Sequence, residues 1–530
     1  MRADGRALII AALCVFTLAG LAFRVYGLGA ESLSEDELIK VKAVAEYREK
    51  GLTPANGEHP FLMKAMLAAS IIVSERWNAL APARNNPQLQ ISTETATRLP
   101  GAILGALSSL LIFLVTRELF GAEVGLVAAA LWALDPAAIG FNRIAKQDSF
   151  LLFFFLLGNY FWLRGQTVAE EGRRRPEPFY WAAAAAFGAM LASKYVPHYF
   201  AITAAYYYAF QGDTAVLWRV GKKKWIVFFA VMTLAFLVCN PTILLPGTWH
   251  EMRVFAGEKR IGHDSYEFLG HLYRNQMTLW LQGSPWYFYY TFLGVKLSTP
   301  VVIAFIVGLP QLLRKRLGDG RYFIIFWLFF WFFPFTFMGG KFTRYLTFPL
   351  PAVLITAALG IYAAAGLLAR AVPLRAGDRS DGSARAYASV ALALVVLASS
   401  AYASASAAPH YRLYTSALGG GWERAGSYFP HDEFYDASTR EIIEEVARLA
   451  GREDLRELSL SDHAAVREMR EGDVVVVARG RRYFSNEELT ESLRGTSRPK
   501  ASVSLGRVPS AEIYVLDAKS AEALNEAASR

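Results

Sequence analysis

Ser34-Glu35-Asp36-Glu37-Leu38 puts three carboxylates in a row just beyond a long apolar run. Adjacent carboxylates beside a membrane suit general-base chemistry or a divalent metal. Acidic residues after a serine also suit a helix start, because the helix N-terminus favours negative charge. Other chemistry-bearing residues follow. Glu58 and His59 stand before Pro60, ahead of an amphipathic run with Lys64. Arg143, Lys146 and Asp148 mark the mouth of "SFLLFFFLLGNYFW"; the two cations can snorkel there, and Asp148 is either a helix cap or a reactive carboxylate. Lys194, in "LASKYVPHY", has only a residue or two between two apolar runs, which holds it at the depth of a lipid phosphate. Lys341 and Arg344, followed by Tyr345, open "KFTRYLTFPLP" and read as interfacial anchors or phosphate ligands. His263, Glu267 and His271 recur at i, i+4 and i+8, one face of a helix if the segment is helical. They are weak metal candidates, and an exposed polar face is the preferred reading.

The elements that must position these residues are membrane helices. The chain has 530 residues, 54% of them hydrophobic and 14% aromatic, and the apolar residues cluster into runs long enough to cross a bilayer. Backbone satisfaction in lipid makes such spans helical. Eleven are expected, at roughly 7–24, 98–118, 122–141, 149–164, 179–193, 195–211, 225–245, 287–313, 322–338, 345–368 and 386–406. Arg2 and Arg6 resemble a signal-peptide start, but the many later spans favour an uncleaved first helix. Cys14 and Cys239 both fall in spans, which argues against a disulfide framework or a cysteine zinc site.

Alternate loops are rich in arginine and lysine: Arg117; Arg164 with Arg173, Arg174 and Arg175; Arg219 with Lys222, Lys223 and Lys224; Arg314, Lys315, Arg316 and Arg321; Arg370, Arg375, Arg379 and Arg385. The positive-inside rule makes these loops cytoplasmic, with the N-terminus. The net charge of +9 therefore reports orientation and gives no nucleic-acid signal. Loops 25–97 and 246–286 fall outside, and so does a C-terminal α/β domain at 407–530, separated from the transmembrane domain 1–406. In it "TREIIEEVARLA" reads as an amphipathic helix, and "DVVVVARG" and "AEIYVLD" as strands. The polar clusters then collect on one face of a plasma (inner) membrane.

In order and context the segments "EDEL", "GEHPF", "RLPGAILGAL", "NRIAKQDSFLLFFFLLGNYFW", "SKYVPHYF", "GSPWYFYYTFLGVKLSTP" and "KFTRYLTFPLPAVLI" resemble the GT-C membrane glycosyltransferases. The likeness is to the protein O-mannosyltransferase and aminoarabinose-transferase group, glycosyltransferase family 39-like, over about residues 7–370. It implies a mainly α, polytopic bundle and an enzyme using a polyprenyl-phosphate-linked sugar. The Asp-Glu pair of that family's first outer loop maps to Asp36 and Glu37, its aspartate before the fourth span to Asp148, and its inter-span lysine to Lys194. Glu58 falls where relatives carry a polar residue ahead of a proline. Some relatives carry an arginine where this chain has Ile39, with Lys40 as a substitute. On that likeness Asp36 is the base, while Lys194, Arg344 and Lys40 neutralise the departing phosphate. His59, Arg143 and Tyr345 complete the substrate-binding set. The "WWDYG" signature is absent, which argues against transfer of a whole oligosaccharide to asparagine. The expected partners are the lipid-linked donor, membrane lipid and a protein, glycolipid or envelope-polymer acceptor. No cofactor is assigned, and a divalent metal stays open. A transporter or a non-catalytic envelope assembly or sensor protein is the competing class. Charges at span ends and the lack of a repeat favour the enzyme.

Overall fold

The computed structural model describes residues 3–172, 174–211, 220–257, 263–371, 381–451 and 459–530. Arg2, Arg173, Arg219, Arg375 and Arg379 lie outside the described residues. The chain is mainly helical. It begins with α1 (Ala3–Val25), α2 (Glu35–Lys50), α3 (Phe61–Ala79), α4 (Thr93–Phe120), α5 (Ala122–Leu134), α6 (Pro136–Asn142), α7 (Gln147–Glu171) and α8 (Glu177–Leu191). Among the described residues five helices are long and apolar enough to cross a membrane, or six if the bent pair α5–α6 is one span. The chain is thus a multi-pass membrane protein. The expected run 287–313 is broken into Phe288–Lys296 and Thr299–Gly308, and 195–211 into short turns around Phe200–Tyr206. Pro300 stands in the first turn of Thr299–Gly308 and Pro197 opens the turn before Phe200–Tyr206, where a missing N–H costs nothing.

The 62° bend between α5 and α6 frees carbonyls that lipid cannot satisfy. Arg24 satisfies them: its guanidinium donates to the carbonyls of Trp132 and Ala133, each at 3.1 Å, and to Asn142 Oδ1 at 2.9 Å. Asp135 caps α6 by accepting from the Ala138 N–H at 2.9 Å. Arg143, just after α6, binds the end of α1 through the carbonyls of Arg24, Tyr26 and Gly27 at 2.9, 2.7 and 2.7 Å. These contacts fix the mouth of α7, where Lys146 and Asp148 stand.

Helices Thr299–Gly308 and Leu350–Ala371 touch backbone to backbone. A Cβ on Gly360 would lie 1.9 Å from the Ala304 carbonyl, and one on Gly308 1.9 Å from that of Thr356. Small residues permit such approach in membranes. Gly360→Val is therefore expected to force the helices apart and destabilise the protein by at least about 1–3 kcal/mol. A detergent thermostability assay checks this, and a parent-like melting temperature would refute the contact.

The loop 246–286 holds a helix, Pro246–Gly257, and a hairpin, β1 (Ser265–Phe268) and β2 (His271–Arg274). The helical spacing read for His263, Glu267 and His271 is thus overturned. Tyr266, Phe268 and Tyr273 favour strands, and Leu269 and Gly270, at φ 53° and 79°, close a two-residue turn. Near the C-terminus β3 (Val474–Ala478), β4 (Ala501–Leu505) and β5 (Val508–Val515) form an antiparallel sheet in the order β3-β5-β4. Helix Thr439–Ala450 covers one face through Ile442 and Val446, while Leu489, Leu493 and Leu524 of two later helices cover the other. Residues 408–438 run back over the first loop. Arg412 pairs with Glu31 at 2.6 Å, and the Ser32 N–H donates to the Ala437 carbonyl at 2.8 Å.

Candidate active site

The acidic run separates into three fates. Ser34 caps α2, and Glu37, three residues on, accepts from the Ser34 N–H at 3.0 Å to complete a capping box. Arg98 of α4 forks onto the Glu37 carboxylate at 2.9 and 2.8 Å, and the Ala145 N–H donates to it at 2.9 Å. The other Arg98 donors hold the carbonyls of Leu28, Glu31 and Ser32. Burial disfavours charge on Glu37, but Arg98 and these hydrogen bonds outweigh it and bring its pKa down to about 2. Glu37 is 1% exposed and does not reach the cavity described below. Glu35 stands exposed at the rim of the cavity described below and pairs with Arg481 at 3.2 Å. Asp36, one residue on, points inward.

Asp36 is half-buried and pairs with the Lys146 ammonium. Tyr435 donates its hydroxyl to Asp36 Oδ2 at 2.5 Å. Burial works against charge on Asp36. The cations of Lys146, Lys40 and Arg344 overcome it and hold the carboxyl well below its usual range. Lys40 is itself buried and donates to the Asp36 backbone carbonyl at 2.8 Å, so it steadies the helix turn and is absent from the cavity wall. Burial, then Arg344 and Lys40, push the Lys146 ammonium well below the usual lysine range.

A cavity of about 900 Å³ opens beside Asp36. Asp148 and Lys194 line it as an ion pair at 2.7 Å, with the Lys194 ammonium 4.9 Å from the Tyr345 ring centre. Arg344 also lines it. Its guanidinium lies 4.1 Å from the Phe342 ring centre, 5.6 Å from that of Tyr345 and 6.0 Å from that of Tyr435. The Arg344 Nη1 is buried with no hydrogen-bond acceptor among the described residues; Asp432 is 3.8 Å away. A buried donor left unmade is costly, so this N–H suits an anion brought into the cavity. One side of the cavity is apolar, with Phe330, Pro334, Phe335 and Met338.

Glu58 and His59 line the same cavity. Lys64, buried beneath them, binds the carbonyls of Ala55, Asn56 and His59 at 3.1, 2.7 and 3.0 Å and so shapes their turn. Burial, then Lys40 and Lys146, hold the His59 imidazole far below its usual value, which keeps it neutral. The structure therefore unites Asp36, Asp148, Glu58, His59, Lys194, Arg344 and Tyr345 on one cavity, while Glu37, Lys40 and Arg143 sit behind its wall. The histidines do not form a triad. His263 stacks on Tyr483 at 4.1 Å, Glu267 pairs with Arg482 at 3.4 Å, and His271 is exposed. Among the described residues no three His, Cys, Asp or Glu side chains are grouped to hold a metal ion.

Sequence reasoning passed over Tyr435, Asp436, His431 and Arg481, all on the cavity wall. They come from the C-terminal segment, which shows no catalytic motif. The density of polar and aromatic residues in "HDEFYDAS" is the one signal that His431, Tyr435 and Asp436 leave in the sequence.

Residues 88–245 match the family model for dolichyl-phosphate-mannose-protein mannosyltransferases. Among curated proteins none matches the chain. The oligosaccharyltransferase AglB of Archaeoglobus fulgidus, solved with an inhibitory peptide and a dolichol-phosphate, aligns with a TM-score of 0.50 at 12% identity, over 76% of this chain and 56% of that one. The chain thus spans little more than half the length of the archaeal protein. ArnT from Cupriavidus metallidurans, bound to undecaprenyl phosphate, aligns at a TM-score of 0.47 and 16% identity, over 89% of this chain and 82% of that one. The Saccharomyces cerevisiae Pmt1–Pmt2 complex bound to its sugar donor gives 0.32 and 22%, over 49% and 34%. The chain shares its fold with that archaeal oligosaccharyltransferase, and its residues 88–245 carry the pattern of the dolichyl-phosphate-mannose-protein mannosyltransferase family.

Proposed function

We propose that this protein moves a sugar from a polyprenyl-phosphate donor to an acceptor outside the cytoplasm, in one displacement that inverts the anomeric centre. The observation that carries the reading is the cavity itself. It sets Asp36 and Asp148 beside Lys146, Lys194 and Arg344, with an apolar side fit for a lipid tail. The acceptor hydroxyl or amine attacks C1 of the sugar and gives its proton to Asp36. The C1–O bond breaks, and its electron pair stays on the phosphate, where charge grows toward Arg344 and Lys194. Asp148 holds Lys194 in place. The acceptor is a protein hydroxyl, a glycolipid or an envelope polymer, and a mannose-like sugar agrees with the matched family model. The arginine-rich loops favour a plasma-membrane protein with a cytoplasmic N-terminus, eleven spans and the C-terminal segment outside.

Purified protein in nanodiscs, given radiolabelled polyprenyl-phosphate sugars and envelope extract, is expected to transfer label to an acceptor. Transport of the intact lipid-linked sugar without transfer would overturn the reading. Within that frame Lys194→Ala is expected to weaken undecaprenyl phosphate binding about 10-fold, the worth of one charge-assisted hydrogen bond. Lys222→Ala, an exposed lysine opening a helix on the opposite loop side, should leave binding unchanged. Equal affinities for both variants would reduce Lys194 to a membrane anchor.

A further inference from the structure

We propose that Tyr435, from the C-terminal segment, is a positioning residue that fixes the reacting carboxylate of Asp36 from 399 positions away in the chain. The inference rests on Asp36 being the base of the proposed transfer. Three observations support it. Tyr435 is 8% exposed, and its hydroxyl is spent on Asp36 Oδ2. Its ring also lies 6.0 Å from the Arg344 guanidinium, so one side chain touches both the carboxylate and the cation aimed into the cavity. Finally, Tyr435 and Asp436 adopt φ of 45° and 60°, a left-handed conformation that side chains other than glycine rarely take.

That conformation accounts for how two successive residues both reach α2. Tyr435 turns toward Asp36, while Asp436 Oδ2 accepts from the Glu35 N–H at 3.2 Å and Asp436 also binds Arg481 at 2.7 and 2.6 Å. Strained backbone of this kind persists only where its surroundings enforce it, and it gathers at functional sites. The pair thus grips α2 at the Glu35 N–H and at the Asp36 side chain. One Asp36 oxygen is oriented by the phenol, and the carboxylate is held ionised toward the cavity.

The charged and titratable groups facing Asp36 are Lys146 before α7, Lys40 and Glu37 on its own helix, His59 in the first loop, Arg344 and Tyr345 in the turn before the helix at 350, and Tyr435. Tyr435 donates to the charged form, so removing its hydroxyl must move the Asp36 titration upward. Tyr435→Phe keeps the ring. In nanodiscs it is expected to lower kcat about 10-fold with donor KM unchanged, and to move the acid limb of kcat up by about one pH unit. Infrared difference titration, parent minus Asp36→Asn, reads the same carboxyl without any substrate and should show the same upward move. Should the phenylalanine variant not fold, 3,5-difluorotyrosine at position 435 supplies a more acidic donor of nearly the same shape and should move the midpoint down. Tyr428→Phe, whose hydroxyl binds the Gly419 carbonyl at 3.0 Å away from the cavity, should change none of these. An unmoved carboxyl midpoint in a folded Tyr435 variant overturns the positioning role. Full turnover by Asp36→Asn overturns instead the reading on which that role depends.

Discussion

Asp36→Asn is expected to lower turnover by about 10²–10⁴-fold, the usual worth of a positioned general base. The variant should still fold. The amide keeps an oxygen for Tyr435, and Lys146, whose ammonium is already held far below its usual range, can shed its proton when its partner loses charge. The pH dependence has a definite sign. Asp36 is depressed by its cations, so it stays ionised through neutrality, and any acid limb it causes lies below the ordinary aspartate value of about 3.9. Turnover and melting temperature of the purified variant check both points. A folded Asp36→Asn protein with parent turnover would pass the role of base to Asp148.

The neighbouring carboxylate should behave oppositely. Glu37→Ala leaves Arg98 charged and uncompensated at 5% side-chain exposure, and breaking such a pair typically costs about 3–5 kcal/mol. Loss of folded protein, with lost activity only as its consequence, is the expected result. Glu37→Gln should be milder in acid. The folded pKa of Glu37 lies near 2 against 4.5 unperturbed, so its charge stabilises the fold fully above about 4.5 and is lost as pH falls toward 2. A denaturation series from pH 7 to 3 is expected to show the parent converging on Glu37→Gln. Parallel curves would remove Glu37 from the stability account.

The contrast between Asp36 and Glu37 shows what a sequence can and cannot disclose. Both are acidic and adjacent, and a family likeness treats them as a pair. The Ser34–Glu37 spacing is legible as a capping box, but the arginine that consumes Glu37 stands 61 positions on, and no local pattern announces it. Residues at span mouths were legible because lipid allows them so few places: Asp148, Lys194 and Arg344 do share one cavity. Arg143 carries the same signal and Lys40 was suggested by the family likeness, yet both serve backbone carbonyls, a use visible only once the helices are packed. The hairpin at 265–274 was lost to an i, i+4, i+8 pattern, although the alternation of Tyr266 and Phe268 already spelled a strand. Pro197 and Pro300 stand where the apolar runs 195–211 and 287–313 divide into short helices, a division that a count of apolar runs does not register.

The contact between Tyr435 and Asp36 also sets an order on biogenesis. A ribosome adds about 5–20 residues per second, so the 399 positions separating the two take about 20–80 s to synthesise. During that interval the first loop is already made, with Glu31, Ser32, Glu35 and Asp36 waiting for Arg412, Ala437, Arg481 and Tyr435. The last of these partners, Arg481, follows Glu35 by 446 positions. A polypeptide released before Tyr435 would carry Lys146, Lys194 and Arg344 and still lack the contacts that grip α2, so the order of synthesis withholds the completed pocket until the C-terminal segment is made.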